Sequence, residues 1–175
     1  MSKADILWID LEMTGLDPST DRIVELAAIV TDWDFSIIDS FEVVIAQSSE
    51  ALSKMPSAVT KMHTKSGLLA KIPSGIAEQD AQKTLLDFIS KHFPDNDGKV
   101  LLAGNSIHQD RRFIRKYWPE IDRKLHYRML DVSAWKVVFM NKYNLKPTKK
   151  SSHRAIDDIK ESIKELKTYI SHIKD

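Results

Sequence analysis

Four carboxylates and one histidine in this chain have the residue types that metal-assisted phosphodiester hydrolysis needs. Asp10 and Glu12 lie in DILWIDLEMTG, Asp110 lies in GNSIHQDRRFI, and His153 and Asp158 lie in SHRAIDDIKES. Two hard divalent cations could compensate four such charges together, and oxygen ligands favour Mg²⁺ or Mn²⁺ over zinc. Cations held in this way activate water and relieve charge on phosphoryl oxygens, and a nearby neutral histidine can serve as general base.

Asp10 and Glu12 share one face of a strand predicted over residues 5–12, because side chains at i and i+2 point the same way. Asp10 lies between Ile9 and Leu11, where an uncompensated acid is costly. Both faces of this strand are apolar, which predicts a central position in the sheet. Ligands of open α/β sheets bind at the carboxyl ends of such strands. A plainer interpretation makes Glu12 the first exposed residue after the strand, but it leaves Asp10 unexplained.

Asp110 is less decisive when it is taken alone. It falls early in a helix predicted from His108 to Tyr117, where the helix dipole also favours an aspartate. The turn Gly104-Asn105-Ser106 comes just before it and follows a short strand predicted over Lys99–Ala103. Polar turns between a strand and a helix often meet phosphates, so the surroundings favour a role in a site.

The last helix favours Asp158 over Asp157 as the functional acid. Apolar residues define one stripe along it, at Ile156, Ile159, Ile163, Leu166, Ile170 and Ile173. At about 100° per residue, Asp158 lies about 110° from the centre of the stripe and Asp157 about 150°. Both could also be ordinary first-turn acids. His153 stands at the start of the helix, where a capping role is the alternative to general base. The other histidines lack a comparable carboxylate context, and His63 and His126 are read as structural.

The remaining pattern predicts a mixed α/β sheet, because three strands in sequence are followed by strands alternating with helices. The further predicted elements are strands over Arg22–Thr31, Phe35–Ala46 and His126–Leu130, a helix over Ile76–Phe93, a helix from Val132, and short helical pieces in 55–70 broken at His63–Ser66. The connections after the third strand are long enough for right-handed crossovers.

Composition narrows the class of protein. The chain has 175 residues, which predicts a single domain over residues 1–175. Its net charge of +1 argues against a grip on long nucleic acids, which usually requires a basic surplus. It has no cysteine, which excludes a disulfide scaffold and a cysteine nucleophile. We expect no membrane association and a cytoplasmic location, since no secretory signal or bilayer-spanning stretch is found.

The chain resembles the DEDDh 3′–5′ exonucleases nearly end to end. The blocks that carry the resemblance, in the family's order, are WIDLEMTGLDP, HTKSGL, GNSIHQDRRFI, HYRMLDVS and HRAIDDIKESIKEL. The resemblance implies an RNase H-like fold with a five-stranded mixed sheet flanked by helices. It implies that Asp10, Glu12, Asp110 and Asp158 hold two Mg²⁺ or Mn²⁺ ions, with His153 as general base. The implied reaction releases 5′-mononucleotides from the 3′ ends of very short RNAs, dinucleotides above all, and not from long duplexes.

The same resemblance assigns substrate contacts. Leu16 would wedge against the bases, and Ser106, Arg128 and Ser133 would bind the terminal 5′ phosphate, which a guanidinium and hydroxyls can satisfy. The family is homodimeric, and Tyr127 would be supplied across the dimer to the neighbouring site. Taken without the resemblance, Arg128 reads as a surface cation, Ser133 as a helix N-cap and Leu16 as ordinary packing.

The chain also departs from the family. Ala58 stands where a tryptophan is usual, and stacking of a base on an aromatic ring is worth about 1–3 kcal/mol. Ala134 stands where a hydroxyl residue is common. The loop after Trp135 carries several lysines, namely Lys142, Lys146, Lys149 and Lys150, which could draw in phosphates or remain solvated.

Two other functions fit parts of the pattern. One is a DNA exonuclease of the same subclass, against which the phosphate-binding trio argues. The other is a nucleic-acid-binding module without turnover, against which the five filled catalytic positions argue. Hydrolysis of a two-nucleotide RNA, compared with a long single-stranded DNA, separates these functions.

Overall fold

A five-stranded mixed sheet forms the centre of the protein. The computed structural model describes residues 4–94, 99–145 and 154–173. The strands are β1 (Ile6–Met13), β2 (Ile23–Thr31), β3 (Ile37–Val44), β4 (Val100–Gly104) and β5 (Leu125–Asp131), in the sheet order β3-β2-β1-β4-β5. The β1–β2 and β2–β3 pairs are antiparallel, and the β1–β4 and β4–β5 pairs are parallel. The predicted α/β architecture is therefore confirmed.

Helices flank this sheet. In the part of the chain that the structure describes they are α1 (Ser49–Ser53), α2 (Ser57–Lys65), α3 (Glu78–His92), α4 (His108–Tyr117), α5 (Pro119–Lys124), α6 (Val132–Lys142) and α7 (Ala155–Ser171). A short 3₁₀ turn spans Ile72–Ser74. None of the described helices is long and apolar enough to cross a bilayer.

Strand β1 is central, as its two apolar faces predict. Leu7, Ile9 and Leu11 join a core layer with residues of α3 and α4. Ile6 and Trp8 join the opposite layer with residues of α6 and α7. Because side chains alternate along a strand, the face that carries Ile6 and Trp8 continues towards its carboxyl end. That continuation places the carboxylates of β1 on the side where α7 packs.

The helices between the strands differ in part from the prediction. The helix around residue 60 ends at Lys65, within the break predicted at His63–Ser66. Gly67 follows it with a φ of +74°, a left-handed conformation that glycine adopts without a Cβ clash. The short helix α5 was not predicted; it begins at Pro119, a residue that favours the first turn of a helix.

The buried face of α7 also differs from the predicted apolar stripe. Ile170 and Ile173 are 38% and 54% exposed, whereas Glu165 and Tyr169 are buried. The Tyr169 hydroxyl donates to Glu165 Oε1 at 2.6 Å, and the Tyr169 ring stacks on Phe139 with ring centroids 4.8 Å apart. Because the Tyr169 hydroxyl and Glu165 Oε1 partner each other, the buried face of α7 can include residues that a hydrophobic pattern excludes.

Candidate active site

Three of the predicted acids converge between β1 and α7. Asp10, Glu12 and Asp158 each offer a carboxylate oxygen, and these atoms all lie within 4.8 Å of one another. Glu12 and Asp158 are each only 8% exposed. Asp157, by contrast, has a side chain that is 53% exposed and pairs with Lys160 at 4.0 Å. The choice of Asp158 over Asp157 therefore agrees with how α7 packs.

The protein around these acids disfavours negative charge. Burial, with added repulsion from Glu25, Asp158 and Asp110, raises the pKa of Glu12 to about 8. Arg154 opposes this rise. Hard oxygen ligands this close together and this well buried suit a divalent cation, which would compensate their charge.

Asp110 lies beside the three-acid group and is bound to the strand backbone. It is 6% exposed, and its Oδ1 accepts the N–H of Leu11 at 2.9 Å. Leu11 lies between Asp10 and Glu12, so α4 is attached to β1 at the site itself. Burial raises the pKa of Asp110 to about 7, and the Leu11 N–H partly opposes the rise. Asp110 is not one of the three acids whose oxygens share the 4.8 Å cluster.

His153, the predicted general base, lies outside the residues that the structure describes, as do Lys146, Lys149 and Lys150. Lys142 is exposed at the end of α6, with its Nζ 5.4 Å from the centroid of the Tyr143 ring.

His63 is a site residue that the sequence argument missed. It is fully buried in α2, and its Nε2 lies 2.9 Å from the carbonyl oxygen of Met13. Because a carbonyl only accepts, Nε2 carries the hydrogen. Its Nδ1 lies 3.9 Å from Glu12 Oε2, so the expectation that this histidine lacks a carboxylate context is wrong. The signal that could have found it is its place in the HTKSGL block.

Two of the predicted phosphate contacts, Ser106 and Ser133, meet at one carboxylate. Asp131 Oδ1 accepts the N–H of Ser106 at 2.9 Å, the N–H of Ser133 at 2.9 Å and the Ser133 hydroxyl at 2.6 Å. Asp131, not Ser133, is the N-cap residue of α6, so the capping interpretation of Ser133 is wrong. Ser106 has a φ of +56°, which bends the chain between β4 and α4. His108 Nδ1 lies 3.6 Å from Asp131 Oδ2, a second carboxylate contact that the sequence did not indicate.

The other predicted substrate residues are exposed. Tyr127 is 72% exposed on the edge strand β5, and the guanidinium carbon of Arg128 lies 5.1 Å from the centroid of the Tyr127 ring. The N–H of Arg128 donates to His126 Nδ1 at 3.0 Å, which fits the structural interpretation of that histidine.

Leu16 is presented by a firmly built turn after β1. It is 67% exposed, so ordinary packing does not explain it, and its carbonyl oxygen accepts Gln109 Nε2 at 2.6 Å. Asp21 accepts the Thr14 hydroxyl at 2.9 Å and the N–H of Asp17 at 3.0 Å. A Cβ at Gly15 would collide with the Asp21 carboxylate, so the turn requires glycine there.

Comparison with known proteins decides the family. A family model described as an exonuclease, RNase_T, matches residues 7–166. The chain belongs to this exonuclease family. Its curated relatives include proteins named oligoribonuclease from Francisella tularensis subsp. tularensis, 46% identical over 97% of this chain and 96% of that protein. The oligoribonuclease of Actinobacillus pleuropneumoniae is 42% identical over 98% of this chain and 97% of that protein. The oligoribonuclease of Neisseria meningitidis is 42% identical over 97% of this chain and 92% of that protein.

Solved structures agree with this exonuclease fold. Escherichia coli exonuclease I in its zinc-bound complex with single-stranded DNA matches with a TM-score of 0.75 at 13% identity. The match covers 98% of this chain and 41% of that one, so the chain spans about two fifths of the larger protein. A product-bound form of exonuclease I matches with a TM-score of 0.72 at 12% identity.

The two positions at which we expected departures from the family are exposed. Ala58 lies in the first turn of α2, and Ala134 lies in the first turn of α6.

Proposed function

We propose that this protein is a 3′–5′ exoribonuclease that hydrolyses very short RNAs, dinucleotides above all, to 5′-mononucleotides. The observation that carries the proposal is the convergence of Asp10, Glu12 and Asp158 in an exonuclease-family fold. The names of its relatives, at 42% and 46% identity over nearly their whole length, support RNA as the substrate. We place the enzyme, as one domain over residues 1–175, in the cytoplasm, where short RNA fragments arise.

Asp10, Glu12 and Asp158, with Asp110 beside them, are proposed to hold two Mg²⁺ or Mn²⁺ ions. The donor set fits hard cations, because it consists of carboxylate oxygens; Glu12, Asp110 and Asp158 are buried and Asp10 is partly exposed. When bound, the cations supply an activated water and charge relief at the phosphoryl oxygens.

The chain itself supplies the proton acceptor and the orientation. His153 is proposed to take the proton of the attacking water on an imidazole nitrogen. His63, fixed by its bond to the Met13 carbonyl, holds its Nδ1 3.9 Å from Glu12 Oε2.

The substrate is proposed to lie between two exposed features. Leu16 wedges against the bases from its rigid turn. Ser106, Arg128 and Ser133 bind the 5′ phosphate at the other end, which limits the length of RNA that fits. The Ser133 hydroxyl donates its hydrogen to Asp131 Oδ1 in this structure. To donate to a phosphate, the hydroxyl must rotate its hydrogen away from Asp131.

A second copy of this chain is the proposed partner of the α6 surface. An apolar groove of about 450 Å³ is lined by Ala134, Trp135, Val138, Phe139, Tyr143 and Ile173. Val137, Val138 and Tyr143 are 62%, 50% and 58% exposed. Contiguous exposed apolar side chains mark protein interfaces. The edge strand β5 leads into α6, so pairing of two copies there would bring Tyr127 towards the neighbouring site.

The test compares two substrates and one variant. The parent protein with Mn²⁺ should convert a 5′-phosphorylated RNA dinucleotide to mononucleotides far faster than it shortens a long single-stranded DNA. Asp10→Ala should abolish both reactions, and excess EDTA should stop the parent. Faster action on the long DNA would favour the DNA exonuclease function. Hydrolysis by Asp10→Ala at the parent rate would show that this site is not the catalyst.

A further inference from the structure

A fully buried glutamate on β2 holds the start of α7. Glu25 is 0% exposed. Its Oε1 accepts Arg154 Nε at 2.9 Å and Nη2 at 2.6 Å, and its Oε2 accepts the N–H of Ala155 at 3.1 Å. One carboxylate thus binds both the residue before α7 and the first amide of the helix.

This contact replaces an ordinary helix cap. Arg154 is the N-cap residue of α7 and makes no side-chain capping hydrogen bond to its own helix. The first amides of a helix need acceptors, and Glu25 provides one from another element of the fold. The position of α7 along the sheet is therefore set by a residue of β2.

The two ends of this contact lead directly to two of the acids. Glu25 is the register partner of Glu12 in the β1–β2 pair. Asp158 lies one helical turn after Arg154 and donates its N–H to the Arg154 carbonyl at 3.0 Å. Glu12 is thus linked to Asp158 in three steps. Strand pairing joins Glu12 to Glu25, the ion pair joins Glu25 to Arg154, and a helix hydrogen bond joins Arg154 to Asp158.

Stability alone is a poor reason for this pair. A buried ion pair often contributes little compared with apolar residues of similar size. Glu25 also brings a further negative charge to an acidic site. Two guanidinium N–H groups of Arg154 converge on Glu25 Oε1 while Glu25 Oε2 accepts the Ala155 N–H, so the contact fixes where α7 begins.

We propose that Glu25 and Arg154 are positioning residues that set the spacing of Glu12 and Asp158 and thereby the affinity of the site for divalent cations. This inference rests on the proposed function, which places cations at these acids. It assigns no contact with substrate to either residue.

Charge and positioning make opposite predictions for Arg154. Removing a cation beside an acidic site should tighten binding of Mn²⁺ if only Coulomb attraction matters. If Arg154 positions α7, its loss should weaken binding. Arg154→Gln therefore separates the two explanations by the sign of the change.

The matched control is Glu42→Gln. Glu42 Oε2 lies 3.7 Å from the same Arg154 Nη2, but Glu42 is exposed and, among the described residues, accepts no hydrogen bond from the amides of α7. The control thus removes a carboxylate from the same guanidinium and leaves the hold on α7 in place.

The experiment is a calorimetric titration of the full chain with Mn²⁺ alone, without RNA. Arg154→Gln should bind Mn²⁺ about tenfold to a hundredfold more weakly than the parent, the range typical when groups that orient metal ligands are lost. Glu42→Gln should stay within about twofold. Hydrogen exchange of the Ala155 amide, measured without metal, should be faster in Arg154→Gln than in the parent and should be unchanged in Glu42→Gln.

Arg154→Gln leaves Glu25 buried without its charge partner and could unfold the chain, so a second variant is included. Glu25→Gln combined with Arg154→Gln removes both charges, keeps the local net charge and should keep the thermal midpoint close to that of Glu42→Gln. Its Mn²⁺ affinity should fall about tenfold or more. Arg154→Lys keeps the positive charge but not the two guanidinium donors. Its Mn²⁺ affinity should lie between that of this double variant and that of the parent.

The outcomes discriminate between the two proposals. Parent-like or tighter Mn²⁺ binding by the folded double variant overturns the positioning inference and leaves the proposed function intact. If the parent itself binds no Mn²⁺, the proposed metal site is wrong and this inference fails with it.

Discussion

The backbone N–H of Leu11 donates to Asp110 Oδ1 at 2.9 Å, although the two residues are 99 positions apart in the chain. The bond attaches α4 to the central strand between Asp10 and Glu12. It also occupies Asp110 Oδ1, one of the two oxygens of that carboxylate. Asp110 therefore has a structural role, as the acceptor of the Leu11 N–H, and a proposed chemical role, as a carboxylate of the metal site. Substitutions can separate these two roles.

Asp110→Asn and Asp110→Ala should differ in stability but not in activity. The asparagine oxygen can still accept the Leu11 N–H, so Asp110→Asn should fold with near-parent stability. Asp110→Ala leaves that N–H buried without an acceptor, at a cost of about 1–3 kcal/mol. Both remove the charge and should lower the hydrolysis rate by about a hundredfold or more. Urea unfolding measures the stability of the two variants, and dinucleotide hydrolysis measures their activity. Equal stability of the two variants would contradict the structural role of Asp110.

Neighbouring aspartates in α7 provide a matched pair. Asp158→Asn should reduce dinucleotide hydrolysis by about a hundredfold or more, because Asp158 belongs to the buried acidic group. Asp157→Asn should leave the rate within about twofold, because its exposed pair with Lys160 contributes little. A larger loss for Asp157→Asn than for Asp158→Asn would reverse the assignment.

The pH dependence of stability follows from the raised pKa values. Burial raises the pKa of Glu12 from 4.5 to about 8 and that of Asp110 from 3.8 to about 7. The folded, cation-free chain thus keeps protons that the unfolded chain has released. Its free energy of unfolding should fall as pH rises from about 4 to about 8, by roughly a few kcal/mol.

Thermal midpoints measured from pH 5 to pH 8 test this prediction. In EDTA the midpoint should fall with pH, whereas saturating Mn²⁺ should reduce or reverse the fall because it binds the ionised acids. Glu12→Gln is the control, and its EDTA curve should be flatter than that of the parent. A thermal midpoint of the parent that rises from pH 5 to pH 8 in EDTA would be incompatible with the raised pKa values of Glu12 and Asp110.

The phosphate-binding role of Arg128 is tested with two forms of one substrate. Arg128→Ala should raise the KM for a 5′-phosphorylated dinucleotide about tenfold to a hundredfold, since it removes a charge-assisted contact. For the same dinucleotide without the phosphate, KM should change less than about threefold. Equal effects on both substrates would assign Arg128 to some other part of the reaction.

The α6 surface makes a prediction about assembly. Val138→Glu places a charge in the apolar groove and should convert the chain from dimer to monomer in sedimentation experiments. If Tyr127 acts across the interface, the monomer should also lose most of its activity. A control, Asn141→Glu, places a charge at an exposed position of the same helix outside the groove lining. A parent that sediments as a monomer would rule out this partner.

Much of the sheet could be predicted because its determinants are local. The alternation of apolar residues and acids in residues 5–12 indicated a strand covered on both faces, and the spacing of Asp10 and Glu12 indicated one shared face. Helix α4 was predicted with the bounds that the structure shows, His108–Tyr117. Asp158 was separated from Asp157 by helical angle alone.

What the sequence did not predict depends on contacts between distant residues. The predicted stripe of α7 is confirmed at Ile159, Ile163 and Leu166, which are buried, but Ile170 and Ile173 are exposed. Periodicity could not reveal that the Tyr169 hydroxyl bonds to Glu165 Oε1 and lets both residues lie on the buried face. His63 reaches Glu12 only because α2 packs against the end of β1. The Glu25–Arg154 pair joins residues 129 positions apart, and neither residue signals the other locally.

The most direct measurement is a crystal structure of the protein with Mn²⁺ and a non-hydrolysable dinucleotide, with the Mn²⁺ located by its anomalous scattering. We expect two Mn²⁺ peaks bounded by Asp10, Glu12, Asp110 and Asp158, with the scissile phosphate against them. Peaks elsewhere in the molecule, or four carboxylates too far apart to share ions, would contradict it.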